Sequence, residues 1–437
     1  MTGRAGLLAR LLRGSAGLAA IRLGGAGFGF AAQAFLARFV GAHDLGLFYA
    51  ATSLAIVAGL IATQGYQQIA PRFAARYRAE ARRGLYAAFV TRATGDSLAT
   101  ALAFGAGIVA LSLTVPGLDA TARTCGVIAG LLIPATASLT LFTNLAGAMR
   151  LFGLCYVPEG IVRPACLLGL VVALGLAWPG ASGAVVTGLF AALTLVIAVV
   201  QYRLLAPHLP ARRIPPRRLT RRWRREAHAL ILLSLYTNIF ADLGILCVTP
   251  FLPAAQVAVF GLCLKLALLV GYVVQVTQQM AVPDFADARL AGDLSAMRRI
   301  LRRAVTLPAV ATLAALAAVA LAGEPLLGLF GPEFRQGAAP LAILIGSQLL
   351  RALAGPSAHV LTLTGAQGLN ARLCILALAV LVGANLVLTP VFGVAGAAGA
   401  VLASYAAWIL GTAVTLRRLG EMRTDVLALL RPRPALA

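Results

Sequence analysis

Charge is scarce in this sequence, and one sign dominates what there is. Only 12% of the 437 residues are charged, with 37 Lys+Arg against 14 Asp+Glu. A soluble domain of this length needs far more charge to cover its surface. Lysine is nearly absent. Lys265 stands alone inside an apolar stretch, so no Walker A loop can form and an ATP-hydrolysing pump is excluded for this chain alone. Four histidines (His43, His208, His228, His359) share no metal-ligand spacing. The cysteines at 125, 155, 166, 247, 263 and 374 lie in or near apolar stretches without paired spacing. They read as small packing residues, not disulfides or metal ligands. No carboxylate pair resembles a glycosyltransferase's metal–nucleotide site, and no cofactor is implied. Enzyme is therefore the weaker class, with a membrane glycan polymerase as its best representative.

What the chain has in quantity is apolar sequence. The apolar set makes up 60% of residues, and the mean hydropathy is +0.89. A hydrocarbon core about 30 Å thick takes roughly 20 apolar residues as a helix. Candidate spans fall near 15–37, 45–69, 94–115, 124–147, 160–178, 183–203, 229–250, 256–281, 305–323, 339–363, 372–391 and 394–416. The expected fold is thus an all-α polytopic membrane protein of about twelve helices. Low aromatic content and 45 glycines suit close helix packing in lipid. Arg4, Arg10 and Arg13 ahead of the first apolar run look like a signal peptide's basic region. The run continues to about Leu36 without a convincing cleavage site, so it reads as an uncleaved first helix.

A net charge of +23 raises the question of nucleic acid, and the placement of the charges answers it. Most basic residues fall in alternate short loops. The opposite loops carry only Arg38, Arg123 and Arg335. That is the positive-inside bias, and it places both termini in the cytoplasm. The longest basic segment, Arg203 to Arg225, divides the chain into 1–206, a linker at 207–228, and 229–437. It is expected either to lie against anionic lipid headgroups or to dock a cytoplasmic partner. An offset of 212 residues pairs Phe48 with Phe260, Gly59 with Gly271, Gln67 with Gln279, Pro71 with Pro283 and Phe73 with Phe285. The paired spans run in the same direction, so the repeat is parallel.

Polar groups at membrane depth are costly unless they are paired or face a wet cavity. Counting about 1.5 Å per residue from the span ends puts Asp242, Lys265 and Arg351 at similar depth. One account has Asp242 pair with a cation and fasten helices. The other has a cavity with surplus positive charge suited to a pyrophosphate. Arg22 in the first span, beside Gly24, Gly25, Gly27 and Gly29, is a third candidate cation. Arg163 reads as snorkelling to the headgroups. Gln64, Gln67 and Gln68, and again Gln275, Gln278 and Gln279, fall at i, i+3, i+4. Each set is expected to form one polar helix face, either bonding between helices or lining a saccharide path. Asn238, with Asn144 and Asn385, belongs to the same expected polar interior.

Five stretches carry a family resemblance: ARFVGAHDLGLFYA at Ala37–Ala50, DFADARLAGDLSAMRRILRR at Asp284–Arg303, LGLFGPEF at Leu327–Phe334, GPSAHVLTLTGAQG at Gly355–Gly368 and LTPVFGVAGAAGA at Leu388–Ala400. In order and spacing the chain resembles the polysaccharide-exporting, O-antigen flippase (Wzx-type) branch of the multidrug/oligosaccharidyl-lipid/polysaccharide superfamily. The resemblance implies two six-helix lobes around a cavity opened alternately to each side. It implies as substrate an oligosaccharide on a polyprenyl diphosphate, held by cations of the first helix and the cavity. Arg22 matches by helix position only, and Lys265 and Arg351 are assigned to the phosphates from their expected shared depth. Asp242 would orient the cations or carry a coupling proton. Anionic lipids and polysaccharide-assembly proteins are the implied partners, in a bacterial inner membrane. A multidrug or metabolite antiporter of the same fold is the alternative.

Overall fold

The computed structural model describes residues 15–178, 180–211, 213, 217–420 and 424–426, with side chains from residue 24 onward except that of Arg217. The described residues are helical, without strands. The elements are α1 (Ser15–Val40), α2 (Ala42–Ala62), α3 (Tyr66–Ala79), α4 (Arg83–Thr114), α5 (Ala120–Ala148), α6 (Phe152–Ala177) and α7 (Gly183–Leu205). They continue with α8 (Arg217–His228), α9 (Ile231–Asn238), α10 (Phe240–Val248), α11 (Ala254–Leu290) and α12 (Leu294–Gly328). Last come α13 (Ala338–Leu353), α14 (Ser357–Leu363) and α15 (Gln367–Arg418).

Among the described residues, eight helices are long and apolar enough to cross a bilayer, and two bent pairs bring the number to ten. Helix α15 is itself two spans, because Gly393 leaves helical geometry at φ 58°, ψ −134°. Its arms fold back on each other, with Ser404 Oγ donating to the Ala377 carbonyl at 2.7 Å. With α1 counted, about twelve spans result, as the hydropathy pattern requires.

The chain forms two compact units, Met1–Thr249 with Pro253–Ala258, and Pro250–Leu252 with Val259–Ala437. The expected seventh span, now α9 and α10, packs within the first unit against α2. In that unit α2 is central, flanked by α5 and α7. Thr136 Oγ1 of α5 donates to the Ala55 carbonyl at 2.9 Å, an interhelical bond that has no competing water in lipid. Helices α4 and α5 approach backbone to backbone. A Cβ on Gly105 would lie 2.6 Å from the Gly130 carbonyl oxygen, so only glycine fits there.

In the second unit α13 runs alongside α11 in the same direction. Cys263 Sγ donates to the Gly337 carbonyl at 3.4 Å at one end, and Gln278 Nε2 donates to the Arg351 carbonyl at 3.4 Å at the other. A cluster of Phe285, Met297, Leu301, Leu361 and Leu416 forms a core where α11 leads into α12.

Besides a kink at Ala322 near the end of the ninth, three expected straight spans are broken. The second bends out of helix at Gln64 (φ 52°) and Gly65 (φ 81°), which separates α2 from α3. At the repeat-related positions stand Val276 and Thr277. Their branched side chains disfavour left-handed backbone, and α11 runs through without a break. The seventh span turns by 90° at Ile239. Just before it, Thr237 Oγ1 and Asn238 Nδ2 donate to the carbonyls four residues back, Leu233 at 2.9 Å and Ser234 at 3.2 Å, a pattern that bends helices. The tenth bends by 40° between α13 and α14, where Gly355 takes φ 63° and Pro356 has no N–H to donate.

Gly65 gives a direct test. It needs positive φ, and a Cβ there would lie 2.1 Å from the Ala227 carbonyl oxygen of α8. Gly65→Ala is expected to cost about 2–4 kcal/mol, from left-handed strain together with overpacking. Gly95→Ala is the control. Gly95 is helical and a Cβ there meets nothing within 4 Å, so it should gain about 0.5–1 kcal/mol. Unfolding midpoints in detergent that moved equally for both variants would contradict this.

Candidate functional site

In the first unit Asp242 occupies the third position of α10, just past the break at Ile239. It accepts from Ser53 Oγ of α2 at 3.0 Å. The depth expected for Asp242 assumed a straight helix from residue 229, and the 90° turn removes that basis. Asn238 lies on the near side of the break and bonds within its own helix. Asn144 and Asn385 do likewise, donating to the Thr140 carbonyl at 2.9 Å and the Leu381 carbonyl at 2.8 Å.

The glutamines of the second span do not form the continuous face expected, because Gln64 sits in the turn. Gln64 Nε2 donates to Thr100 Oγ1 at 2.5 Å, and its Oε1 lies 3.2 Å from His228 Nε2. Gln67 is buried, accepting from Thr63 and donating to Ser234 Oγ at 3.3 Å. Both therefore tie the break to neighbouring helices.

The second unit holds Lys265, half-buried on α11, and Arg351, half-buried in the last turn of α13. A cation is well placed at a helix C-terminus. The shared depth expected for these two residues is not observed. The Arg351 carbonyl is bound by Gln278, 13 residues beyond Lys265 on the same helix, which is about 20 Å along the axis. They stand at two levels of one unit. Gln278 is buried and supplies the donor that a helix-terminal carbonyl needs, while Gln275 and Gln279 are half-buried beside it. The Gln348 Oε1 atom is buried and accepts no hydrogen bond. The side chain of Arg22 lies outside the described residues. Next to it, Gly25 abuts the Gly160 carbonyl of α6.

A further polar constellation went unnoticed in the sequence. The basic linker folds into α8, whose Leu219, Trp223 and Ala227 face inward at i, i+4, i+8. Trp223 is 0% exposed. Its Nε1 donates to Tyr77 Oη at 3.0 Å, and its ring meets Phe89 edge-on with centroids 5.4 Å apart. Beside it, Arg224 reaches Asp96 of α4 with two hydrogen bonds, 2.9 and 3.0 Å. Asp96 also accepts from Arg92 at 2.9 Å and from Tyr66 Oη at 2.9 Å. The bond to Asp96 pushes the Arg224 guanidinium further up from its ordinary range. Burial pushes the Glu226 carboxyl up, but the hydrogen bond from Arg222 and the charges of Arg72 and Arg222 outweigh it and hold it low. The outer face keeps Arg218, Arg221, Arg222 and Arg225 exposed. A tryptophan four residues from an apolar neighbour on each side, within an arginine run, was the signal available.

The sequence profile of the family described as "Polysaccharide biosynthesis protein" matches residues 11–288, more than half of the chain. The chain belongs to that family. No curated protein sequence matches the chain. Among solved structures, this polysaccharide biosynthesis family member resembles an inward-facing multidrug resistance MATE family transporter of the MOP superfamily. The TM-score is 0.63 at 17% identity, over 90% of this chain and 94% of that one. It also resembles the lipid II flippase MurJ in an inward closed conformation, with TM-score 0.70 at 9% identity, over 90% and 86%. A third similar structure is a MOP superfamily transporter from Pyrococcus furiosus described as having a binding pocket of reverse polarity. Its TM-score is 0.52 at 17% identity, over 97% and 99%. The fold is therefore that of the MOP superfamily, in a multi-pass membrane protein.

Proposed function

We propose that this protein flips a polyprenyl-diphosphate-linked oligosaccharide, an O-antigen or exopolysaccharide repeat unit, from the cytoplasmic to the outer leaflet of a bacterial inner membrane. Both termini are cytoplasmic, and one lobe rocks against the other to open the path alternately to each side. The protein moves its substrate without chemical change to it, and polysaccharide-assembly proteins act before and after it.

The observation that carries the reading is the pair of half-buried cations in the second unit, Lys265 and Arg351, at levels about 20 Å apart along α11. A cation inside a membrane helix is retained at a cost and marks a path for charge. Arg351, nearer the arginine-rich side, meets the diphosphate first. Lys265 holds it further outward, so the phosphates pass between two stations. Arg22 contributes from the first helix. Gln275 and Gln279, half-buried on α11, offer amides to sugar hydroxyls, while Gln64, Gln67 and Gln278 hold their neighbouring helices in place. Asp242 beside the helix break couples movement to a proton. Membership in a polysaccharide biosynthesis family, with a fold also used by a lipid II flippase, supports this substrate class over a drug.

The test is polymer export in cells whose only copy carries Lys265→Ala or Arg351→Ala, with membrane insertion measured alongside. Each variant is expected to reduce export at least about tenfold, the scale of one lost charge-assisted contact. Undiminished export by a normally inserted double variant would refute the assignment. An antiporter of the same fold would leave export intact even when the gene is deleted.

A further inference from the structure

Helix ends gather at the arginine-rich end of the first unit, and they line an open cavity of about 390 Å³. Tyr77 and Arg78 reach it from the end of α3, Arg83 and Tyr86 from the start of α4. Met149 comes from the turn after α5, and His208 from the 3-10 turn Ala206–His208 that follows α7. This size suits a small polar ligand. Among the described residues, no carboxylate lines it. Glu80, the nearest acidic residue in sequence, is held by Arg76 at 2.9 Å and Arg82 at 3.1 Å.

Three features make this cavity a receptor for an anion. Arg78 donates one N–H to the Ala148 carbonyl, quieting a helix-terminal dipole that would repel negative charge. A guanidinium has five N–H donors, so others remain. The Tyr86 hydroxyl is buried and makes no hydrogen bond, an expensive state unless an acceptor occupies the cavity. Arg213 extends the positive rim, since its guanidinium lies over Gly84, where a Cβ would come 2.2 Å from Nη1.

The level in the membrane says which anion. The helix that delivers His208 exposes Val199, Val200, Tyr202 and Leu204 in its last two turns, an apolar strip of the kind acyl chains cover. A phosphate bound here would sit at the headgroup level, where basic pockets between spans capture anionic lipids. We propose that this cavity binds the phosphodiester headgroup of an anionic membrane phospholipid. The site is separate from the transport path and independent of the transport reading.

Native mass spectrometry of the delipidated full-length protein, titrated with phosphatidylglycerol, tests it. The wild type should retain one tightly bound phosphatidylglycerol in preference to phosphatidylcholine. Arg78→Ala combined with Arg83→Ala should weaken that binding at least about tenfold. Tyr86→Phe should weaken it by about threefold while leaving the unfolding midpoint of the lipid-free protein unchanged, because the hydroxyl bonds nothing there. Equal retention by wild type and both variants would overturn the proposal. Displacement of the lipid from wild type by millimolar inorganic phosphate would also overturn it, in favour of a soluble phosphate ligand.

Discussion

Trp223→Ala is expected to cost the first unit about 3–5 kcal/mol, the range for deleting a large aromatic from a packed interior. The side chain is fully buried among Tyr77, Phe73 and Phe89, and its indole N–H satisfies the Tyr77 hydroxyl. Truncation removes the ring, leaves a void and deprives the Tyr77 hydroxyl oxygen of its donor at once. The effect should reach beyond stability. Helix α8 is mostly polar, and without its anchor little apolar surface holds it. Arg217, Arg218, Arg221, Arg222 and Arg225 then become open to trypsin. Cleavage in this segment is expected to accelerate more than about tenfold relative to wild type, as an opening equilibrium shifted by a few kcal/mol dictates. An unchanged unfolding midpoint together with an unchanged tryptic pattern would show that the tryptophan is not the anchor.

The second large effect is expected at Asp96. This carboxylate is only 9% exposed and holds Arg92 and Arg224 together, with Tyr66 as a third donor. Removing one member of a buried ion pair costs about 3–5 kcal/mol when the remaining charge stays dry. Here Arg224 keeps 43% of its side chain exposed and can recover water. Asp96→Asn should therefore cost about 1.5–3 kcal/mol. A double-mutant cycle with Arg224→Ala isolates the pair, and its coupling energy should be about 1–2 kcal/mol. Additive effects of the two substitutions would mean that the bidentate contact holds nothing in place.

The sequence and the structure part company at identifiable residues. Span number and the Gly393 reversal were legible because hydropathy needs about 20 apolar residues per crossing whatever the packing. Arginine placement gives an expected orientation on the same ground, that charge stays out of hydrocarbon. The breaks at Gln64–Gly65 and Ile239 were not legible. They depend on one or two φ angles and on what packs across them, such as the Ala227 carbonyl over Gly65. A depth obtained by counting residues inherits every unseen break, which removed the common level assumed for Asp242, Lys265 and Arg351. The arginine run reads from sequence as a basic linker facing lipid headgroups or a partner, because its charge hides one tryptophan. Asp96 was missed for a different reason. Its three donors come from α3, α4 and α8, which no local pattern connects.

Chain order and physical membership diverge after the linker. Helices α8, α9 and α10 follow the midchain loop, yet they are packed into the first unit. A chimaera joined at the loop near residue 210 would therefore set a foreign tryptophan against a resident Tyr77, a foreign arginine against Asp96 and a foreign aspartate against Ser53. Mosaic proteins of this family that exchange halves at that loop must match three lock-and-key contacts at once. A junction placed between Val248 and Ala254 would carry all three across intact.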